Sequence, residues 1–276
     1  VSERIAFLGS GVMAEAMIRG LLAEGGADAG DLWASGPREE RARQLHETYG
    51  VRAVTDNLEA VANADLVVLS VKPPSLPGLL AQIRPALRPE QPVVSIVAGA
   101  RLSMLAAALG HPAIVRCIPN LPCRVGRGLT AWTAAQEVSE EACASVRRLL
   151  GALGEEIRVA DDHELDRATA VYGTAPALVA LFAKALEDAA VFAGEPRSRA
   201  RGLLLRSLVG TAEMMLASDE HPAELVDTVT SPEGVMSRAR HVLDSGGFSA
   251  LLTDAVDAAL RRTVELGDRL EERGKL

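Results

Sequence analysis

The chain has 276 residues, enough for one large domain or two ordinary ones, and 48 % of them are hydrophobic. No apolar run approaches a membrane span, and no basic stretch followed by a long apolar run marks a secretory signal, so a cytoplasmic location is expected. Of the formal net charge of −8, −7 falls in residues 161–276, with 13 basic and 20 acidic groups against 16 and 17 in residues 1–160, which argues against a nucleic-acid surface there.

The first predicted element is a buried strand, Ile5–Leu8, running into Gly9-Ser10-Gly11-Val12-Met13-Ala14 and a helical pattern through Leu22. This is a G-x-G-x-x-A turn in its diagnostic place, between a strand and a helix. Gly9 allows the sharp turn, Gly11 leaves room for a pyrophosphate, and Ala14 lets helix and strand pack closely. The free N–H groups at Val12 and Met13 then face the phosphates.

The second strand, Leu32–Ser35, runs into Gly36-Pro37-Arg38. An NAD site usually places an acid at the end of this strand, about 20 residues past the glycines. None stands there. Ser35 and Arg38 offer a hydroxyl and a cation to a 2′-phosphate, so NADPH is the expected cofactor, with NADH possible. Arg38 also reads as the start of a solvated helix with Glu39 and Glu40.

Further strands are predicted at Leu66–Val71, Val93–Val97 and Ile114–Ile118, with helices at Glu39–Tyr49, Ser75–Leu87 and Leu102–Leu109. The alternation predicts β-α-β units on a doubly wound, Rossmann-type parallel sheet over residues 1–160. A helix at Ser139–Leu150 and a strand-like Ile157–Val159 close this half. Within it, Asn57 follows Asp56 before a helix and reads as an N-cap. Asn120 follows the fifth strand, at the carboxyl edge where such sheets bind ligands.

Past Asp162 the pattern is helical: Glu164–Val171, Ala177–Phe192, Ser198–Ala217 and Leu251–Leu270. The middle two are apolar on more than one face and must be covered on all sides, in part by a second subunit. Residues 161–276 are therefore expected to form an all-helical domain. Cys117, Cys123 and Cys143 are too few and wrongly spaced for a disulfide framework or zinc site, the histidines make no ligand-spaced pair, and no metal is expected.

Several phrases stand out along the chain: Val71-Lys72-Pro73, Arg116-Cys117-Ile118-Pro119-Asn120-Leu121-Pro122 and Val125-Gly126-Arg127-Gly128-Leu129-Thr130, then His221-Pro222-Ala223-Glu224-Leu225, Val229-Thr230-Ser231-Pro232 and Val242-Leu243-Asp244-Ser245-Gly246-Gly247-Phe248. Together they resemble the pyrroline-5-carboxylate reductases. The resemblance implies a helical dimerisation and substrate domain, a homodimer or larger homo-oligomer, and reduction of the cyclic imine 1-pyrroline-5-carboxylate to proline. It places Val71, Lys72 and Pro73 beside the cofactor, with Lys72 structural or electrostatic rather than chemical. It puts Asn57 on the adenosine ribose and Asn120 at the cofactor. Ala98-Gly99 would let the nicotinamide ring lie close to the backbone.

By the same resemblance the substrate carboxylate is held by Thr230, Ser231, Glu233, Gly234, Val235 and Met236. The chain departs from the family's pattern there, with Glu233 for a glycine and Met236 for a threonine thought to donate near the imine nitrogen; Met cannot donate. Upstream, Tyr172 stands where a small residue is expected. The hydroxyls left as proton donors are Tyr172, Thr174 and Ser231. These departures keep two alternatives open: a reductase of a different cyclic imine, and a nucleotide-binding regulatory protein without turnover.

Overall fold

The computed structural model describes residues 3–274. The chain opens with β1 (Ile5–Leu8), α1 (Val12–Ala23), β2 (Leu32–Ser35), α2 (Glu39–Tyr49), β3 (Arg52–Val54), α3 (Asn57–Ala62) and β4 (Leu66–Leu69). It continues with α4 (Leu76–Ile83), β5 (Val93–Ser95), α5 (Leu102–Leu109), β6 (Ile114–Pro119), β7 (Gly128–Ala134), α6 (Glu140–Gly151) and β8 (Gly154–Arg158). The sheet order is β3-β2-β1-β4-β5-β6-β7-β8. β1 therefore lies between strands that lead off in opposite directions, and the carboxyl ends of β1 and β4 flank the switch point.

Period two divides the core. Ile5 and Phe7 belong to one buried cluster with Met17, Leu21 and Trp132. Ala6 and Leu8 belong to the other, with Leu76, Leu80 and Leu105. A strand buried on both faces reads as a continuous apolar run, which is why β1 and β4 are plain in the sequence.

Two strands depart from the sequence expectation. β3 is short and begins on an exposed Arg52, so nothing apolar announces it. β7 is antiparallel to β6, with Cys117 opposite Trp132, whereas the periodicity predicts a wholly parallel sheet. The cause is the connection. Residues 120–127, which contain a short 3-10 turn at Leu121–Val125, are too few for a crossover helix, so the chain must return antiparallel. The single helix expected at Ser75–Leu87 is α4 flanked by 3-10 turns at Pro73–Ser75 and Arg84–Ala86, where prolines interrupt the ladder.

The remaining elements are α7 (Asp162–Ala168), a π-helical turn (Thr169–Gly173), α8 (Ala175–Phe192), α9 (Arg197–Leu216), α10 (Pro222–Thr228), α11 (Val235–Ser245) and α12 (Phe248–Gly274). The helix expected over Glu164–Val171 thus changes to π geometry at Thr169. Two compact units result, one ending at Thr174 and resuming at Ala258, the other Ala175–Asp257. Complete burial of the apolar helices is not met within one chain: α8 has no buried residue and α9 only Ala200. Phe192 is 94 % exposed and Leu216 87 %.

Candidate active site

The glycine loop is shaped for a bulky anion. Gly9 has φ +109°, and a Cβ there would lie 2.7 Å from the Ser70 carbonyl carbon and oxygen, so β1 can turn against β4 only through a glycine. Gly11 is the N-cap of α1, and no side chain caps it. A Cβ at Gly11 would meet no atom within 4 Å, so open space lies in front of the uncapped N–H groups of Val12 and Met13. These residues fit a dinucleotide pyrophosphate.

Arg41, which the sequence did not single out, fixes this loop. Its Nε donates to the Ser10 carbonyl at 2.9 Å and its Nη2 to Glu15 at 2.5 Å. The Tyr49 hydroxyl donates to the other Glu15 oxygen at 2.9 Å. Burial works to raise the Glu15 carboxyl, but Arg41 and Tyr49 overcome it and hold it below its ordinary value. The available signal was Arg41 lying one helical turn past Arg38.

At the end of β2 the two expected phosphate contacts separate. Arg38 is exposed at the N-cap of α2. Ser35 is fully buried, and its hydroxyl donates to Asn57 Oδ1 at 2.6 Å instead of facing solvent. Asn57 Nδ2 in turn donates to Gln82 Oε1 at 2.8 Å. Asn57 is not the cap of α3: Asp56 is, accepting from the Leu58 N–H at 2.8 Å. Asp56 stands two residues before that N–H, at the N-cap, which frees the Asn57 amide for its neighbours.

Val71, Lys72 and Pro73 follow β4 directly, with Lys72 exposed at the start of the 3-10 turn. Ala98 is partly exposed after β5. Gly99 is not open to a ring. Its φ is +78°, and a Cβ would lie 2.8 Å from Gly267 N and 2.9 Å from Leu266 C, so α12 occupies the space. Asn120 is committed as well: its Oδ1 accepts from the Leu129 N–H at 2.9 Å, and its Nδ2 donates to the Tyr172 carbonyl at 3.4 Å.

Beneath that edge lies a buried ion cluster. Arg116 on β6 is fully buried and pairs with Asp162 at 2.7 Å and Asp166 at 2.6 Å, both on α7. Asp162 also accepts from the Leu102 N–H at 3.0 Å, at the start of α5. The Arg116 Nε has no hydrogen-bond partner among the described residues. α7 is thereby clamped where it runs into the π turn that carries Tyr172, and such turns recur at functional sites. Tyr172 is 46 % exposed. Thr174 fares differently as a donor: its hydroxyl proton goes to the Ala170 carbonyl at 2.5 Å, four residues back in the π turn.

In the second unit, the Thr230 hydroxyl likewise donates backward, to the Val226 carbonyl at 2.6 Å. Ser231 is exposed, and its carbonyl accepts from the Gly234 N–H at 3.0 Å. Glu233 has φ +59°, the only non-glycine with positive φ among the described residues. Gly234 caps α11 with no side-chain hydrogen bond; Val235 is 92 % exposed and Met236 is partly covered. Arg240 on α11 pairs with Asp227 on α10 at 2.8 Å and fixes the loop between them.

A hollow of about 380 Å³ lies elsewhere, where the chain enters β5 and β6, lined by Arg84, Glu90, His111 and Glu137 among others. No expected site residue lines it.

Comparison with known proteins agrees with this geometry. Residues 162–266 match the family model for pyrroline-5-carboxylate reductase dimerisation, and residues 4–99 match that for NADP oxidoreductase, coenzyme F420-dependent. The pyrroline-5-carboxylate reductase of Pseudomonas aeruginosa is 40 % identical over 98 % of both chains. That of Synechocystis is 38 % identical over 98 % of this chain and 100 % of its own. Among solved structures, Plasmodium falciparum pyrroline carboxylate reductase with NADP bound superposes with a TM-score of 0.90 at 27 % identity, covering 96 % of this chain and 98 % of that one. The Coxiella burnetii pyrroline-5-carboxylate reductase has a TM-score of 0.86 at 30 % identity, covering 96 % and 99 %. The chain belongs to the pyrroline-5-carboxylate reductase family.

Proposed function

We propose that this protein reduces the C=N bond of 1-pyrroline-5-carboxylate to give proline. NADPH, the reductant, supplies the hydride. The observation that carries the reading is the open, uncapped start of α1 at Gly11 in a chain that aligns with these reductases over 98 % of its length. Gly9, Gly11, Val12 and Met13 take the pyrophosphate. Arg38 takes the 2′-phosphate, and Asn57, oriented by Ser35, takes the ribose. Val71, Lys72 and Pro73 line the cofactor from the end of β4. An imine carbon accepts hydride readily once its nitrogen is protonated, so the protein's main work is to hold two rings face to face.

The substrate carboxylate is assigned to the loop of Thr230, Ser231, Gly234 and Val235, where free N–H groups open α11. Tyr172 and Ser231 are the proton donors assigned to the imine. Thr174 contributes only an acceptor, since its proton is already donated. The protein acts as a homodimer, in the cytoplasm, with α8 and α9 meeting their copies. Residues 1–160, joined by the last turns of α12, serve the cofactor, and the rest of residues 161–276 serves dimerisation and substrate.

A second reading within the same chemistry, a different cyclic imine, is favoured by Glu233 and Met236, which add a carboxylate and remove a donor in the substrate loop. Loss of NADPH absorbance with a panel of cyclic imines tests both. Turnover of pyrroline-5-carboxylate supports the first, turnover of another imine alone supports the second, and NADPH binding with no turnover overturns both.

A further inference from the structure

The last turns of α12 are built against the loop that follows β5, and each contact is specific. Gly99 and Gly267 bring two backbones together, as close as 2.8 Å from the Gly99 Cβ position to Gly267 N. The Cβ position of Gly267 is itself filled by the Arg101 guanidinium, with atoms at 3.1 and 3.2 Å. Arg101 reaches along the helix to Asp268 at 2.9 Å and Glu271 at 3.0 Å, with its side chain only 18 % exposed. One turn on, Leu270 is 4 % exposed and belongs to the same buried cluster as Val97, Ala100 and Leu105.

Helix stability does not explain the glycine. Gly267 lies inside a 27-residue helix, where glycine costs about 1 kcal/mol relative to alanine. What it provides is the depth to which α12 can sink onto the loop. Within the loop the Ala100 N–H donates to the Val97 carbonyl at 3.1 Å and both side chains are buried, and hydrogen bonds also tie its ends. Ile96 N–H donates to the Leu69 carbonyl at 3.1 Å, and Leu102 N–H donates to Asp162. Gly99 and Arg101 between them take their positions from α12. The loop leaves the carboxyl end of β5, next to β4 and the Val71–Pro73 segment, on the edge where a dinucleotide lies in such sheets.

We propose that Arg101 and Gly267 are positioning residues for the cofactor: they set the height of the β5–α5 loop, and through it the affinity for NADPH. This rests on the cofactor site argued above. A shifted loop that weakens about one hydrogen bond to the nucleotide is expected to read as a ~5-fold rise in Kd.

The test uses the full chain and NADPH alone, followed by the fluorescence of the bound nicotinamide. Arg101→Met keeps the aliphatic stem but loses both ion pairs, and should raise the Kd for NADPH ~5-fold. Arg101→Lys, whose single cation still reaches one carboxylate, should recover most of the affinity. Asp268→Asn with Glu271→Gln, on the far side of the clamp, should reproduce the Arg101→Met rise. Gly267→Ala should weaken NADPH in the same direction while its thermal midpoint stays level or rises, because alanine favours the helix. In turnover, KM for NADPH should rise while kcat at saturation and KM for the imine stay within about 2-fold. Unchanged NADPH affinity in Gly267→Ala and Arg101→Met, or losses that merely follow lost thermal stability, would overturn the assignment. Because binding is read without substrate, failure to reduce pyrroline-5-carboxylate would count against the functional reading and leave this one standing.

Discussion

Ser35 and Asn57 form one unit, with the serine hydroxyl donating to the asparagine amide oxygen at 2.6 Å in a site closed to solvent at the serine. The consequence is a division of labour at the end of β2. In the proposed cofactor site Arg38 would supply the charge, and Ser35 would orient the Asn57 amide. Arg38→Ala should therefore weaken NADPH about 10-fold while changing NADH little, as loss of one charge-assisted contact does. Ser35→Ala, costing about 1 kcal/mol, should weaken both nucleotides about equally. Titration of each variant with both nucleotides decides this; equal losses for Arg38→Ala would show that the cation does not read the 2′-phosphate.

Glu233 occupies a left-handed conformation at φ +59°, which costs a residue with a Cβ about 1 kcal/mol. Glu233→Gly should raise the stability by about that amount, partly offset by the freedom glycine gains in the unfolded chain. Thermal unfolding should show a higher midpoint. A midpoint at or below the parent's would mean that the carboxylate makes a compensating interaction.

The Arg116 cluster should dominate the stability of the sheet-bearing unit. Arg116→Met leaves Asp162 and Asp166 without their cation, and should cost about 3–5 kcal/mol in urea unfolding. Adding Asp166→Leu should recover a large part of the loss, since it removes the more deeply buried of the two stranded charges. No recovery would place the cost in packing rather than charge.

Tyr172 and Met236 bear on the proton. Tyr172→Phe should lower turnover at least ~10-fold if the phenol donates to the imine, with the Kd for NADPH unchanged. Parent-like turnover would remove the phenol from the chemistry. Met236→Thr should raise activity toward pyrroline-5-carboxylate, and a fall instead would show that the methionine is fitted to the substrate in use.

Two thiols link burial to alkaline stability. Burial pushes Cys117 up to about 12 and Cys123 to about 11, from an ordinary 9.0. The folded state thus keeps protons that the unfolded chain gives up first. Their contribution is whole below about pH 9 and is lost as pH rises toward 11–12. Urea midpoints should fall between pH 9 and 10.5, and replacing Cys117 by Ala should flatten the fall. The native chain should resist alkylation at pH 8, where its urea-unfolded form reacts at all three cysteines.

The sequence carried the first half of the fold well because β1 and β4 are apolar on both faces, β6 is apolar but for Arg116, and the glycine turn sits directly after a strand. It carried β3 and β7 poorly, since an edge strand beginning on arginine and a strand returning through a short proline-containing turn have no distinctive period. At the site, residue type was the better guide and neighbourhood the weaker one. Arg38 is exposed and Gly11 has open space beside it. Ser35, Thr174 and Gly99 are spent on contacts inside the fold: an amide 22 residues away, a carbonyl in the π turn, and the backbone of α12. Arg41 was hidden among the charges of an exposed helix.

The cofactor-bearing unit is discontinuous along the chain: it breaks off at Thr174 and resumes at Ala258 on α12. A fragment cut after the sheet would lack Leu270 from its core and Gly267 from its loop, so this unit is not a module that one crossover could graft onto another chain. Exchange with a relative needs two joints, or a permuted chain in which the final turns of α12 are spliced ahead of β1. Recombination within such a lineage is expected to swap whole chains or surface loops and to leave halves together.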